Sequence, residues 1–204
     1  MAQRFWIGGA PVAQQVSSFT VAGAIAGDVY SIQLTAEDPN QSASVAYLVK
    51  AGDDVAAVAS GVATAFNGST DGLFSVATAS TNGADVVVTA SVAGRPFYAT
   101  ANVTGTGTFG PEVVDTASAG PNDYNTAANW QDGLGAPAAV PTGTDEVTIS
   151  AGTDSILYGL DQTTTTPARV AVQESYAGSS VGDAANGYAL QFGAVTELFI
   201  QSNR

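Results

Sequence analysis

The side chains that could do chemistry in this chain are carboxylates and hydroxyls. Its 204 residues include no Cys and no His, which excludes a disulfide framework, a thiolate or imidazole metal site and a His-assisted nucleophile. Asp145, Glu146 and Asp154 could supply the carboxylate pair of a glycoside hydrolase, which needs two such groups about 5 to 10 Å apart. The sequence does not give that distance, and solvated strand ends are the favoured interpretation of these residues.

Two other patterns are typical of ligand sites but lack the spacing that such sites require. The run from Gly105 to Gly110 begins Gly-Thr-Gly, but neither a Lys nor a helical pattern follows to form a phosphate cradle. Several aspartates lie beside glycines or in turns without the alternating ligands and terminal Glu of a calcium-binding EF-hand loop, namely Asp28, Asp53, Asp54, Asp71 and Asp85. We therefore expect turn formers, helix caps and a linker, with no catalytic residue, no cofactor and no metal.

The charge balance restricts the partners of the chain. Five Lys and Arg oppose 18 Asp and Glu, for a formal net charge of -13, which argues against nucleic acid because basic side chains provide most phosphate affinity. No segment approaches the roughly 18 to 20 apolar residues of a membrane span, and the first nine residues lack the apolar core of a secretory signal. We expect folding in a cytoplasm, and a partner that is neither nucleic acid nor membrane.

Alternating apolar residues position two strands in the first half of the chain. Val29 to Thr35 and Ser44 to Lys50 each place apolar side chains on one face, and the turn-rich Glu37 to Asn40 separates them. The period then changes to about 3.6 between Asp53 and Phe66, which predicts a helix with Asp53 as its N-cap. Gly61 weakens that helix by about 1 kcal/mol relative to Ala and could let a neighbouring strand approach closely.

Period-two patterning resumes after the helix. The predicted strand faces are Phe74 with Val76 and Thr78, then Val86 with Val88 and Ala90, and finally Phe97 with Ala99, Ala101 and Val103. Asn82-Gly83 between the first two runs is a hairpin signal. The pattern predicts a mostly antiparallel sheet with a single helix packed across one face.

These elements predict a mainly β chain with one helix, an α+β fold. We expect an N-terminal arm at 1–15, a β/α module at 16–108, a Gly- and Pro-rich linker at 109–123, and a second all-β domain at 124–204. The second domain has short β runs spaced about 10 to 20 residues apart, which is typical of a small sandwich or the start of a β-solenoid. The sandwich is favoured because no strict internal repeat is visible.

Two stretches resemble structural proteins of bacteriophage virions. The first is similar to a small β/α module of phage tail and head-associated proteins, in which an Ala-Gly-Asp motif precedes the helix and a Gly-x-Pro-Phe motif precedes the last strand. Here the motifs read Lys50-Ala51-Gly52-Asp53-Asp54-Val55-Ala56-Ala57-Val58-Ala59 and Gly94-Arg95-Pro96-Phe97. This resemblance covers about half of the chain and rests on common residue types.

The second stretch resembles phage structural proteins with the pattern GPNDW-x-x-A-x-NW, then P-x-x-G-D-x-V, then ILYGLDQ. It is carried by Gly120 to Trp130, by Pro141 with Asp145 and Val147, and by Ile156 to Gln162. Tyr124 stands where the pattern has Trp. The resemblance implies a virion role and further β structure, and it implies no catalytic residue.

Strand edges provide the candidate interaction residues. Charged residues make up only 11% of the chain and Lys50 is its only Lys, whereas Lys is a residue that commonly protects edge strands from pairing. The final run from Val195 to Gln201 could complete a neighbour's sheet, which makes Val195, Leu198 and Ile200 interface candidates.

Two aromatic residues near the N-terminus are further interface candidates. Phe5 and Trp6 could anchor the chain in a neighbouring subunit, because aromatic side chains dominate interface hot spots. A place in the core of their own domain is an equal alternative. Trp130 with Tyr124 is expected to form the core of the second domain.

Together these features predict a non-enzymatic structural virion protein of a tailed bacteriophage, a capsid decoration or head-fibre component on the exterior of the particle. The expected partners are the major capsid protein or tail proteins, and further copies of the chain in a symmetric homo-oligomer such as a trimer. Three alternatives stay open: a tail-tube or tail-fibre component, a tailspike-like glycan binder or carboxylate-dependent hydrolase, and a bacterial surface adhesin.

Overall fold

The computed structural model describes residues 1–36, 41–183 and 188–201. The chain divides into two compact units, Ala13–Ser118 and Met1–Val12 together with Ala119–Arg204. We call the first the helix unit and the second the coil unit. The turn predicted at residues 37–40 and the cation Arg204 lie outside the described residues.

The fold is mainly β with a single α-helix, as predicted. The helix is α1, Val55–Asn67, and short 3₁₀ helices occupy Gly72–Val76 and Ala127–Asn129. The strands in chain order are β1 Gln3–Trp6, β2 Val16–Ala22, β3 Val29–Thr35, β4 Ser42–Leu48, β5 Ala77–Asn82, β6 Asp85–Ala90, β7 Tyr98–Thr104, β8 Thr108–Phe109, β9 Val113–Thr116, β10 Trp130–Gln131, β11 Glu146–Ile149, β12 Asp161–Gln162, β13 Arg169–Val172, β14 Gly182–Asp183, β15 Tyr188–Ala189, β16 Gln191–Phe192 and β17 Glu197–Ile200.

The helix unit contains two antiparallel sheets that both contact α1. One sheet has the order β5-β6-β2-β8, with β9 also on β2, and the other has the order β4-β3-β7. The predicted hairpins β3-β4 and β5-β6 are both present and antiparallel. Strand β3 alternates as expected, because Tyr30, Ile32 and Leu34 are buried while their neighbours are partly exposed.

Helix α1 begins one residue later than predicted, because Asp54 rather than Asp53 is its N-cap. The Asp54 carboxylate accepts a hydrogen bond from the Ala57 N–H at 2.8 Å. Asp53 instead accepts from the Lys50 N–H at 2.8 Å and the Tyr47 hydroxyl at 2.9 Å. These two hydrogen bonds hold the pKa of Asp53 below its ordinary value, the backbone donor having the larger effect. Asp53 therefore fastens the turn before the helix to β4.

Gly61 lets α1 lie close to β4, as its place in the helix suggested. The atoms nearest to it belong to the Tyr47 side chain and not to the strand backbone. A Cβ at Gly61 would stand 2.6 Å from Cγ of Tyr47 and closer still to two other ring carbons. The Tyr47 ring thus fills the space that the missing side chain leaves. The cost of a helical glycine is offset by this ring packing.

Two predictions within the helix unit are wrong. The 3₁₀ turn Gly72–Val76 shifts the following strand by one residue, so that Ala77 and Ala79 are buried while Thr78 is exposed and Val76 is half-buried beside the core. The expected linker contains strand structure, because β8 and β9 both pair with β2. These strands have only two and four residues and lie between Gly- and Pro-containing segments, so their pairing with β2 is what distinguishes them from a linker.

The coil unit is a stack of parallel strands and not a sandwich. Its main sheet has the order β10-β1-β11-β13-β17, in which β1, β11, β13 and β17 run parallel. A second parallel pair, β12 with β16, also joins successive turns of the chain, and so do two isolated parallel bridges, Asp123 with Tyr158 and Ile156 with Val181. Parallel strands separated by complete turns of chain are the arrangement of a β-solenoid. The expected N-terminal arm is part of this sheet, because β1 pairs with β11.

Aromatic rings and the buried side-chain amide of Asn129 pack at the first end of the stack, beside β1 and β10. Trp130 packs edge to face against Trp6 at 5.1 Å and against Tyr124 at 4.8 Å between ring centroids. Asn129 accepts from the Ala10 N–H and donates to the carbonyls of Gly120 and Asp123. The Gly120 to Trp130 motif therefore has a structural role.

No helix in the described ranges is both long and apolar enough to cross a membrane.

Candidate assembly surface

Strand β17 is the last described strand of the parallel stack and presents the most apolar exposed segment among the described residues of the coil unit. Its register continues two columns of the stack, in which Leu198 follows Val147 and Val170 while Ile200 follows Ile149 and Val172. The side chains earlier in both columns pack in the core of the coil unit. Leu198 and Ile200 are each 64% exposed, because no described strand lies beyond β17. We call Glu197–Ile200, with its unpaired side, the β17 edge.

The backbone of the β17 edge has a defined polarity. The N–H groups of Glu197 and Gln201 donate to the carbonyls of Ala168 and Val172 on the β13 side. Because successive peptide groups of a strand point to opposite sides, the N–H and C=O groups of Leu198 and Ile200 point away from β13. Such a row of backbone donors and acceptors is a template for another strand.

The outward face of β17 is held by contacts with Arg169. Arg169 Nε lies 3.7 Å from Glu197 Oε2, and its guanidinium carbon lies 5.6 Å from the centroid of the Phe199 ring. Both charged side chains are substantially exposed, so the ion pair adds little to stability. The Phe199 ring that the guanidinium contacts is itself 43% exposed.

A cleft of about 480 Å³ borders the end of β17. Val172, Tyr176 and Ile200 form apolar parts of its wall, which also includes Ser180. The Tyr176 hydroxyl lies 2.8 Å from the carbonyl oxygen of Asp154 and 3.0 Å from that of Ser180, and it shares its single proton between them. The wall of this cleft therefore belongs to the coil unit's own hydrogen-bonded framework.

The structure separates the interface candidates that the sequence grouped. Leu198 and Ile200 are exposed on the β17 edge, whereas Val195 is half-buried and packs against the core. Trp6 is 0% exposed, so the expectation of an exposed anchor is wrong for this residue. Its indole packs against Trp130 in the core of the coil unit. Phe5, on the opposite face of β1, is half-buried.

Sequence reasoning missed two exposed apolar side chains. Phe199 alternates with Leu198 and Ile200, and its exposure on the outward face follows from the absence of a further coil among the described residues. Leu134 is 95% exposed at the tip of a turn that Asp132 holds by accepting from the Leu134 and Ala136 N–H groups, at 2.8 and 2.9 Å. The hydrogen bond from Ala136 and then that from Leu134 lower the pKa of Asp132. The Asp-Gly-Leu-Gly sequence is the signal that could have identified this turn.

Two of the three carboxylates considered for glycoside cleavage, Asp145 and Glu146, have side-chain partners within the coil unit. Asp145 accepts from Arg4 Nε at 3.4 Å and from the Thr142 N–H at 3.1 Å. Glu146 accepts from the Gln3 side-chain amide at 3.3 Å, beside an open cleft of about 580 Å³. These contacts tie β11 to β1 and to the preceding turn. Within the described ranges, no group of three or more acidic side chains is placed to hold a metal ion.

No protein-family model matches the chain, and no curated protein matches it in sequence.

Proposed function

We propose that the chain is a non-enzymatic structural protein of a tailed-bacteriophage virion, on the exterior of the particle as a capsid decoration or head-fibre component. The observation that carries the proposal is the parallel stack of the coil unit, because one end of it is built by the Gly120 to Trp130 motif that resembles phage structural proteins. Its last described strand, β17, carries three exposed apolar side chains and suits pairing with a further β-strand.

The charge and the resemblance to phage proteins support adhesion on the outside of a particle. The motif residues Gly120 to Trp130 build the first end of the stack and supply its core. A formal net charge of -13 disfavours contact with packaged nucleic acid and keeps assembled particles apart in solution. The expected partners are the major capsid protein, or tail proteins, and further copies of the chain.

The engaged carboxylates favour a structural role over hydrolysis. Asp145 and Glu146 already accept hydrogen bonds from Arg4, Thr142 and Gln3. We expect that the purified chain does not cleave host polysaccharide. A measured cleavage that is lost in Asp145→Asn or Glu146→Gln would replace this proposal with the hydrolase alternative.

The test of the proposed function is the protein composition of purified particles. Mass spectrometry of banded virions should detect the chain at a fixed ratio to the major capsid protein, and antibody labelling should place it on the head. Labelling on the tail would favour the tail alternative. Consistent absence from intact particles, with the chain present in the lysate, would contradict a virion role.

A further inference from the structure

We propose that Asn67, the last residue of α1, closes the free edge of β5 and prevents another β-strand from pairing there. This inference concerns the helix unit and does not depend on the proposed function. Strand β5 is the outermost strand of the sheet β5-β6-β2-β8, so that one of its sides faces β6 and the other has no strand beside it among the described residues. We call that second side of Ala77–Asn82 the β5 edge.

The backbone hydrogen bonds determine which residues point toward the β5 edge. The Ser91 N–H, in the chain that follows β6, donates to the Val76 carbonyl at 2.8 Å. Successive residues of a strand direct their N–H and C=O groups to opposite sides, so the even-numbered residues of β5 bond to β6. The odd-numbered residues direct these groups toward the β5 edge, namely Ala77, Ala79 and Thr81.

The side chain of Asn67 occupies the middle of this edge. Its Nδ2 donates to the Ala79 carbonyl at 2.7 Å, and its Oδ1 accepts from the Ala79 N–H at 2.8 Å. A carboxamide presents a donor and an acceptor side by side, as a peptide group does. These are therefore the two hydrogen bonds that a residue of a neighbouring antiparallel strand would make with Ala79. Asn67 takes the place that such a strand would need.

The end of α1 holds Asn67 at this place. Phe66, the preceding residue, is buried and packs edge to face against Phe74 at 4.8 Å between ring centroids. After Asn67, the Gly68 N–H donates to the Thr64 carbonyl at 2.9 Å and closes the last turn of the helix. The backbone is thus fixed on both sides of Asn67, so its side chain loses little further freedom when it bonds to β5.

The sequence of β5 lacks the usual protection against strand pairing. It reads Ala77-Thr78-Ala79-Ser80-Thr81-Asn82 and contains no charged residue and no Pro, whereas charged residues and Pro are common means of blocking an edge. Without Asn67, the β5 edge would present a row of unpaired backbone donors and acceptors, which is a template for association. The protection of this edge therefore depends on α1.

Hydrogen exchange of the full chain, measured by NMR in the Asn67→Ala variant, tests the closure. At low concentration the Ala79 amide should exchange about tenfold faster than in the natural chain, because it loses its acceptor. The Ser80 amide bonds to β6 and should stay protected, which shows that β5 remains folded. At high concentration the Ala79 amide should regain protection, since the opened edges of two copies then pair.

Sedimentation of the same variants provides the second readout. Asn67→Ala should shift to larger species than the natural chain at equal concentration. Adding Ser80→Lys, at an exposed residue of β5, should reverse this shift because a charge on the strand opposes pairing. Thr64→Ala is the matched control, since it also removes an exposed polar side chain of α1, whose hydrogen bond goes to the Ser60 carbonyl and not to β5.

Three results would overturn the closure by Asn67. They are an Ala79 amide that stays protected in Asn67→Ala at low concentration, sedimentation of that variant identical to that of the natural chain at the highest soluble concentration, and association that Ser80→Lys does not reverse. None of these results depends on a virion, so particle composition tests the proposed function separately.

Discussion

Replacing Gly61 in the middle of α1 tests whether contact with the Tyr47 ring is the reason that this residue is a glycine. In an open helix, Gly→Ala stabilises by about 1 kcal/mol. Here the added Cβ would stand 2.6 Å from Tyr47 Cγ, and overpacking of this kind costs roughly 1 to 3 kcal/mol. The difference predicts that Gly61→Ala lowers the free energy of unfolding by about 1 kcal/mol.

A Tyr47→Ala background should reverse the sign of this effect. Without the ring, the three atoms nearest to the Cβ at residue 61 are removed, so Gly61→Ala should stabilise by about 1 kcal/mol. The double-mutant cycle then has a coupling energy of about 2 kcal/mol between the two residues. The lost hydrogen bond from Tyr47 to Asp53 appears in both Tyr47→Ala variants and cancels.

Hydrogen exchange of the α1 amides is the suitable assay. Both tryptophans lie in the coil unit, so indole fluorescence does not report on this helix, whereas exchange of the Val62 and Phe66 amides does. Equal stabilisation by Gly61→Ala in both backgrounds would refute the packing argument. Gly72→Ala, where a Cβ would meet nothing within 4 Å, is the control for a general effect of adding a methyl group.

Three further predictions concern the coil unit. Asn129→Ala removes hydrogen bonds to Ala10, Gly120 and Asp123 and should lower the free energy of unfolding by about 3 kcal/mol. Urea unfolding followed by tryptophan fluorescence measures this free energy. A decrease of less than about 1 kcal/mol would show that the amide is dispensable. Trp6→Ala should lower the free energy of unfolding by about 3 to 5 kcal/mol because it leaves a cavity in the core. Phe5→Ala, at a half-buried residue, should lower it clearly less. The reverse order would contradict the buried position of Trp6. The Asp132 pKa is depressed below its ordinary 3.8, so the carboxylate stabilises the turn fully above that pH, and this stabilisation is lost as the pH falls through the lower folded-state pKa. Hydrogen exchange of the Leu134 amide, measured by NMR and corrected for intrinsic exchange, should therefore become faster over that pH range. In Asp132→Asn the corrected exchange rate should not depend on pH over the same range.

Local patterns were sufficient for most of the helix unit. Strand β3 has the predicted bounds, Val29–Thr35, because one face of it packs in the core and the other does not. Helix α1 follows from the stripe of Val58, Val62 and Phe66. Both periodicities span several residues, so the sequence contains enough repeats to identify them.

The parallel stack could not be predicted in the same way. Its strands have two to four residues, too few for a period to appear, and their pairing joins distant parts of the chain. Gln3, for example, lies opposite Glu146. The same long-range pairing placed Trp6 in the core and made the expected N-terminal arm a central strand.

The exposed apolar residues of the β17 edge were predictable in part. Leu198 and Ile200 were identified as interface candidates because their strand is apolar, and their exposure agrees with that choice. Their role at an interface stays a prediction. The orientation of the edge N–H and C=O groups depends on which residues bond to β13, and that required the structure.

A cryo-EM reconstruction of the virion tests the central claim most directly. We predict density that fits the coil unit on the outer surface of the particle, with its β17 edge covered by another β-strand. Density for the chain with every β17 edge exposed to solvent would contradict adhesion through this edge, and a complete particle map without the chain would contradict the virion role itself.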